Sequence, residues 1–319
     1  MKPNDNGVGK ATHAQGNVQE QSEQQQSKQQ GEQEPRLKEI IAVVNNKGGV
    51  AKTTTVQNVA AGLVRFGAEY IGHTPRVLVI DLDSQCSISS QLGWKTDRED
   101  TRKTVYEALR DGSGLPVYQS YKSTDNFNAL PREGIFYCPG SKMLTKVDAD
   151  LYRAMNPKKV LFKCFGQPLV DASKFGLTDI TEDFDYVLID CPPAMNEVTY
   201  NALGVASQML VPVELESMAI QGLSEVYSTY EIVKAELNSG LDLLGILRVK
   251  VQARLNTAKD FTEFIGEGFE SKMFKSFVRR SDLLSQAQAF NLNIFEYKPY
   301  MNPGFDYERV TKEVLERTL

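Results

Sequence analysis

The 319-residue sequence predicts an α/β fold: a doubly wound, mostly parallel sheet flanked by helices on both faces, in a single domain. Two observations carry this expectation. Short runs rich in β-branched residues recur at Ile40–Val44, Val77–Ile80, Tyr186–Ile189, Met209–Val213 and Leu243–Val251, and they are apolar at successive positions, as strands buried on both faces are. Between them lie helical periodicities: Val56, Val59, Ala60, Leu63 and Val64, then Ile220, Leu223, Tyr227, Tyr230 and Val233. Alternation of that kind calls for right-handed crossovers over both faces of one sheet.

The boundaries follow from composition. Residues 1–36 are Gln-rich and polar, with Val8 and Val18 the only aliphatic residues beyond alanine and the first methionine, so they cannot offset the entropy of ordering and are expected to be a disordered tail. They also lack the apolar run of a secretory signal. Residues 37–319 are expected to form the folded domain, with no Pro/Ser-rich linker dividing them. Roughly Arg98 to Phe175 is the least patterned part. It holds an amphipathic helix near Val105–Leu109 and a strand at Gly134–Cys138, and otherwise reads as a solvated excursion over one sheet edge.

Several function classes are excluded early. No apolar stretch approaches the roughly 18 to 20 residues that cross a bilayer. Cys86, Cys138, Cys164 and Cys191 form no C-x-x-C pair, which argues against a zinc or iron–sulfur site and against a disulfide framework. With only His13 and His73, histidine catalysis has little to draw on. The net charge of −5 means that any nucleic-acid contact must come from a local basic patch.

The informative segment is the strand Ile40–Val44 followed by Asn45-Asn46-Lys47-Gly48-Gly49-Val50-Ala51-Lys52-Thr53-Thr54 and a helix. A loop that opens a helix aims unpaired N–H groups at an anion, and glycines let the backbone approach phosphate closely. Lys52 would reach β- and γ-phosphates and the Thr53 hydroxyl would ligate Mg²⁺. The strict G-x-x-x-x-G-K-[ST] pattern is not met, because Asn46 and Ala51 hold its glycine positions. A glycine turn capping an ordinary helix is the plain alternative. Against it stands a second lysine, Lys47, five positions before Lys52. With Lys52 already filling its own phosphate site, Lys47 is placed to reach a neighbour's phosphates across a two-fold interface, as an arginine finger does. Asp81, Asp83 and Asp190 close strands where such a sheet opens into its ligand crevice. Their bland alternative is an N-cap or a solvated carboxylate.

Lys47 through Thr54 resembles the deviant Walker A motif of the ParA/Soj/MinD ATPases. Asp81-Leu82-Asp83-Ser84-Gln85 resembles the family's D-x-D-P-Q motif with Ser84 for proline, and Asp190-Cys191-Pro192-Pro193 its Walker B. Val211-Pro212-Val213-Glu214 resembles the segment that runs past the base, and Ser276 to Ser281 with Ala287 the last strand–helix element. The resemblance spans roughly 38–319 and implies a P-loop NTPase fold, ATP and Mg²⁺ as ligands, and slow turnover without a partner. Lys47, Gly48, Gly49, Val50, Ala51, Lys52, Thr53 and Thr54, with Pro212 and Glu214, would hold nucleotide. Lys47, Lys52 and Asp83 would be catalytic, Asp83 positioning the attacking water. Thr53, Asp81 and Asp190 would serve the metal. It further implies an ATP-state homodimer that binds double-stranded DNA without sequence preference through Arg254, Lys275, Arg279 and Arg280. For each of these cations the alternative is a solvated charge or a carboxylate partner. Hydrolysis and release would be triggered by a ParB-like centromere-binding protein, in a cytoplasmic, nucleoid-associated setting with no membrane partner. The competing reading, a MinD-like ATPase positioned on a membrane or protein cluster, needs a C-terminal amphipathic helix with basic residues beside bulky apolar ones. The terminus from Tyr307 to Leu319 reads instead as a helix packed on the sheet. A metabolic P-loop ligase would need a separate small-molecule site, for which the sequence offers no constellation.

Overall fold

The computed structural model describes Met1 and residues 36–95, 102–123, 129–215, 219–252 and 270–319. The Gln-rich tail and Arg254 lie outside the described residues. Residues Arg36–Leu319 form one compact unit built on an eight-stranded sheet. The strands are β1 (Glu39–Val43), β2 (Val77–Asp81), β3 (Tyr118–Ser123), β4 (Ala129–Cys138), β5 (Tyr186–Asp190), β6 (Gln208–Glu214), β7 (Asp242–Val251) and β8 (Met273–Arg279). Their order is β3-β4-β2-β5-β1-β6-β7-β8, and every pairing is parallel except β3 with β4. The five helices that matter most here are α1 (Lys52–Phe66), α2 (Glu197–Val205), α3 (Ala219–Glu236), α4 (Asp282–Ala289) and α5 (Asn302–Arg317).

Strand residues alternate between two cores because successive side chains leave a strand on opposite faces. Ala42, Leu78, Ile80, Val187, Ile189 and Val211 pack on one face with Leu223, Val226 and Val233 of α3 and Ala202 and Leu203 of α2. Ile41, Val43, Val77, Val79, Leu188 and Leu210 pack on the other with Val56, Val59 and Leu63 of α1 and Tyr307, Val310 and Val314 of α5. The doubly wound expectation holds, and the C-terminal helix packs its apolar stripe inward.

The solvated excursion does not. Val105, Leu109, Leu115, Val117, Val147, Leu151, Leu161 and Cys164 are almost fully buried and belong to the first core. The segment supplies β3 and β4 and three short helices, Val105–Asp111, Val147–Leu151 and Val160–Phe165. The helix at Val105 and the strand ending at Cys138 stand where the sequence places them, whereas the helices at Val147 and Val160 are too short for a helical period to show, which is why the rest of the stretch reads as loop.

Register fixes the chemistry. Val43 pairs with Asp190, and Asp190 with Asp81, so the ends of β1, β5 and β2 lie level with one another. From β1 the chain runs to β2 on one side and from β5 to β6 on the other, the switch point at which open α/β sheets bind ligands. Pro212 is tolerated inside β6 because the ladder to β1 covers only Gln208, Met209 and Leu210, so no donor is missed at Pro212.

Candidate nucleotide site

The loop after β1 is held by buried Asn45. Its side chain donates to the Pro212 carbonyl at 2.7 Å and accepts from the Lys47 amide at 2.9 Å. Asn46 is tied to Glu225 of α3. Lys52, buried at the start of α1, curls back so that its Nζ donates to the carbonyls of Asn45 and Lys47, each at 3.0 Å. Burial lowers the Lys52 pKa while the nearby Asp190 opposes that shift. The loop thus encircles an ammonium group at its centre and presents Gly48 and Gly49 to solvent, with nothing within 4 Å of where a Cβ would stand.

Gly49 has φ 79°, as glycine allows, but Ala51 has φ 57° and ψ 28°, a left-handed conformation that costs an L-residue roughly 1–2 kcal/mol. Ala51→Gly should therefore stabilise the nucleotide-free protein. Gly loses more entropy on folding, which offsets part of the gain, so a net of about 0.5–1 kcal/mol is expected. A urea denaturation midpoint that does not rise would show that strain at Ala51 is relieved elsewhere.

The metal side of the site rests on Thr53 and Asp190. Thr53 Oγ1 donates to Asp190 Oδ2 at 2.8 Å, while Asp190 Oδ1 is buried and without a hydrogen-bond partner. Burial, and then the nearby Asp81, raise the Asp190 pKa well above the usual carboxylate range. A buried carboxylate oxygen with no donor, beside a threonine hydroxyl, fits a hard divalent cation, whose charge would reverse that shift. Asp81 differs: its Oδ1 accepts from the Asp83 amide at 3.1 Å and its Oδ2 from both the amide and hydroxyl of Ser89. Asp83 is half-buried at the rim, its Oδ1 accepting from the Gln85 amide at 2.9 Å. Cys86 closes that loop at φ 53°, a second non-glycine residue in left-handed geometry.

Around this centre, Val50 is buried, the Thr54 hydroxyl accepts from Gln288 of α4 at 2.8 Å, and the Thr54 carbonyl accepts from the Asn58 side chain at 2.7 Å. Glu214 ends β6 in an ion pair with Lys250 at 2.8 Å. The Pro212 carbonyl is engaged by Asn45, which makes Pro212 a support of the loop as well as a neighbour of the site. A cavity of about 710 Å³ lies away from all of these, between Leu109, Ala154, Met155 and Val160 with Lys159 and Lys163 at its edge.

The expected DNA contacts separate. Lys275 and Arg280 are exposed. Arg279 is partly exposed and paired: its guanidinium grips the fully buried Asp306 through Nε at 2.9 Å and a terminal nitrogen at 2.6 Å, and Arg309 joins the same carboxylate at 2.7 Å. The carboxylate-partner alternative therefore describes Arg279. Lys272 is likewise paired, with Asp242 at 3.1 Å. Sequence reasoning missed Asn45, Ser89 and Gln288. Asn45 could have been suspected as a polar residue continuing a buried strand; the other two carry no local signal.

A family model described as an AAA domain matches residues 38–243. The chromosome-partitioning ATPase Soj of Thermus thermophilus is 33% identical over 87% of this chain and 95% of its own. Cobyrinic acid a,c-diamide synthase of Mycobacterium smegmatis, solved with an ATP analog and magnesium, is 25% identical and shares the fold with a TM-score of 0.64 over 86% of this chain and 93% of that one. A putative plasmid partition protein of Borrelia burgdorferi bound to AMPPNP, at 19% identity, shares it with a TM-score of 0.66 over 88% and 99%. The loop with two lysines, the level aspartates at the ends of β2 and β5, and a match across most of both chains lead to one conclusion: the chain belongs to the AAA-domain family of P-loop ATPases, in its ParA/Soj branch.

Proposed function

We propose that the chain is a DNA-partition ATPase whose ATP-bound form is a homodimer that binds duplex DNA without sequence preference. A ParB-like centromere-binding protein would stimulate hydrolysis and release. The ATPase domain would be residues 37–319, with 1–36 as a solvating leader. The observation that carries the reading is the pairing of Thr53 with an Asp190 that keeps one buried oxygen open, beneath a loop bearing both Lys47 and Lys52. Gly48 to Thr54 would cradle the phosphates with their amides and Lys52 would turn from the loop carbonyls to the β- and γ-phosphates. Thr53 and Asp190 would hold Mg²⁺, which would neutralise phosphate charge. Asp83, at the rim, would orient the attacking water, and Lys47 would be donated to the partner subunit's nucleotide. Pro212 and Glu214 would border the base.

Arg254, Lys275 and Arg280 would meet DNA phosphates, with Arg279 bracing the end of β8 against α5. The MinD-like alternative gains nothing from the structure: Tyr307, Val310, Val314 and Leu315 of α5 are 0% exposed, so the apolar stripe of that helix is packed on the sheet and Phe305 alone of its large apolar residues is exposed. Among the described residues no helix is long and apolar enough to cross one.

Fluorescence anisotropy with an arbitrary labelled duplex tests the reading. Binding should require ATP and Mg²⁺. With two or three phosphates neutralised per subunit, log K should fall against log salt with a slope of roughly −4 to −5 for the dimer. Equal binding with and without ATP at low salt would overturn it.

A further inference from the structure

We propose that Ser89 is a positioning residue for hydrolysis, acting through Asp81 on Asp83. The inference rests on the ATPase reading and adds to it a residue outside every motif singled out in the sequence.

Ser89 lies in the short helix Ser87–Gln91 and is 0% exposed. Its hydroxyl donates to Asp81 Oδ2 and accepts from the Gly140 amide at 2.8 Å, and its own amide donates to the same Asp81 oxygen at 3.0 Å. The other oxygen of Asp81 receives the Asp83 amide at 3.1 Å. One buried carboxylate therefore ties together the end of β2, the helix after it and the turn after β4. Gly140 closes the arrangement from the far side: a Cβ there would stand 2.9 Å from the Asp81 carboxyl carbon. Asp81 is thus bonded through both oxygens and faced by Gly140, and the amide it holds is that of the residue assigned to the attacking water.

The chemistry explains why a buried serine would matter. A carboxylate with both oxygens satisfied by fixed donors neither moves nor competes for the metal beside Asp190. Phosphoryl transfer depends on positioning, and a displacement of about 1 Å in a catalytic group costs on the order of 10²-fold. Removing the hydroxyl leaves the Gly140 amide without its acceptor and Asp81 Oδ2 held by the Ser89 amide alone, so the reference for the Asp83 backbone loosens. The nucleotide-binding groups on the loop after β1 share none of these bonds, so ATP affinity should stay where it is.

The test compares wild type, Ser89→Ala and Gly140→Ala in the full chain, measuring fluorescent ATP-analogue affinity and single-turnover ATP hydrolysis. Gly140→Ala pushes on Asp81 from the opposite side while keeping the hydroxyl, so it carries the test if Ser89→Ala does not fold. Both variants should lose on the order of 10-fold or more in hydrolysis rate with affinity within about twofold of wild type. An unchanged rate in either folded variant overturns the proposal, as does a loss shared equally by affinity and rate, which marks general damage to the fold. A wild-type chain that binds the analogue yet hydrolyses no ATP overturns the hydrolysis reading itself, and this inference with it.

Discussion

Lys47→Ala should bind ATP about as well as wild type and lose on the order of 10³-fold in stimulated hydrolysis, the lower end of what a donated cation contributes. The split follows from how the loop divides its two lysines. Lys52 is buried at the loop's centre, bonded to the carbonyls of Asn45 and Lys47, and is the group placed to meet the chain's own phosphates. Lys47 contributes to that interior through its backbone: its carbonyl receives Lys52 and its amide is held by Asn45. Alanine keeps both backbone contacts, so the loop and its nucleotide affinity should survive. On the proposed reading, what disappears is a side chain donated to a second subunit, where charge develops only in the transition state. Lys47→Arg tests the nature of that service. A guanidinium carries the charge but not the compact ammonium geometry, so partial activity is expected. ATP affinity and single-turnover rate, measured with enough protein to populate dimers, check the prediction. A parallel fall of both would return Lys47 to its own subunit's site.

The same loop shows which parts of the molecule sequence can reveal. Strands β1, β2, β5, β6 and β7 are legible because the sheet is covered on both faces, so nearly every strand residue must be apolar. The phosphate loop is legible because its lysines and glycines are constrained by an anion and not by packing. The segment between β2 and β5 is opaque for the opposite reason: its core contributions from Leu144, Val147, Leu151 and Leu161 come from helices of one or two turns. Charge is opaque too. Arg279 and Arg280 are neighbours in sequence, yet Asp306, 27 residues after Arg279, takes the first into an ion pair and leaves the second exposed. Asn45 and Ser89 are small polar residues whose importance lies in partners far along the chain, Pro212 and Gly140. Contacts of that kind leave no pattern in a single sequence.

Asp83→Ala should hold ATP without hydrolysing it, with a loss of roughly 10²–10⁴-fold in rate, the range for removing a group that manages a proton or water in phosphoryl transfer. Alanine removes the side-chain bond to the Gln85 amide but keeps the Asp83 amide bond to Asp81, so the loop stays anchored where it leaves β2. The carboxylate is half-buried at the rim, and its loss should not expose a core. The ATP-bound dimer should therefore persist, visible as a stable larger species in size-exclusion chromatography with ATP and Mg²⁺. Mixing this variant with Lys47→Ala gives the sharper result. In a mixed dimer the Lys47→Ala subunit keeps its own Asp83 and receives Lys47 from its Asp83→Ala partner, so one complete site is rebuilt. Random pairing makes half of all dimers mixed, each with one working site of two, so an equal mixture should recover roughly a quarter of wild-type activity. If both residues served the subunit that carries them, no mixture of the two inactive variants could regain any.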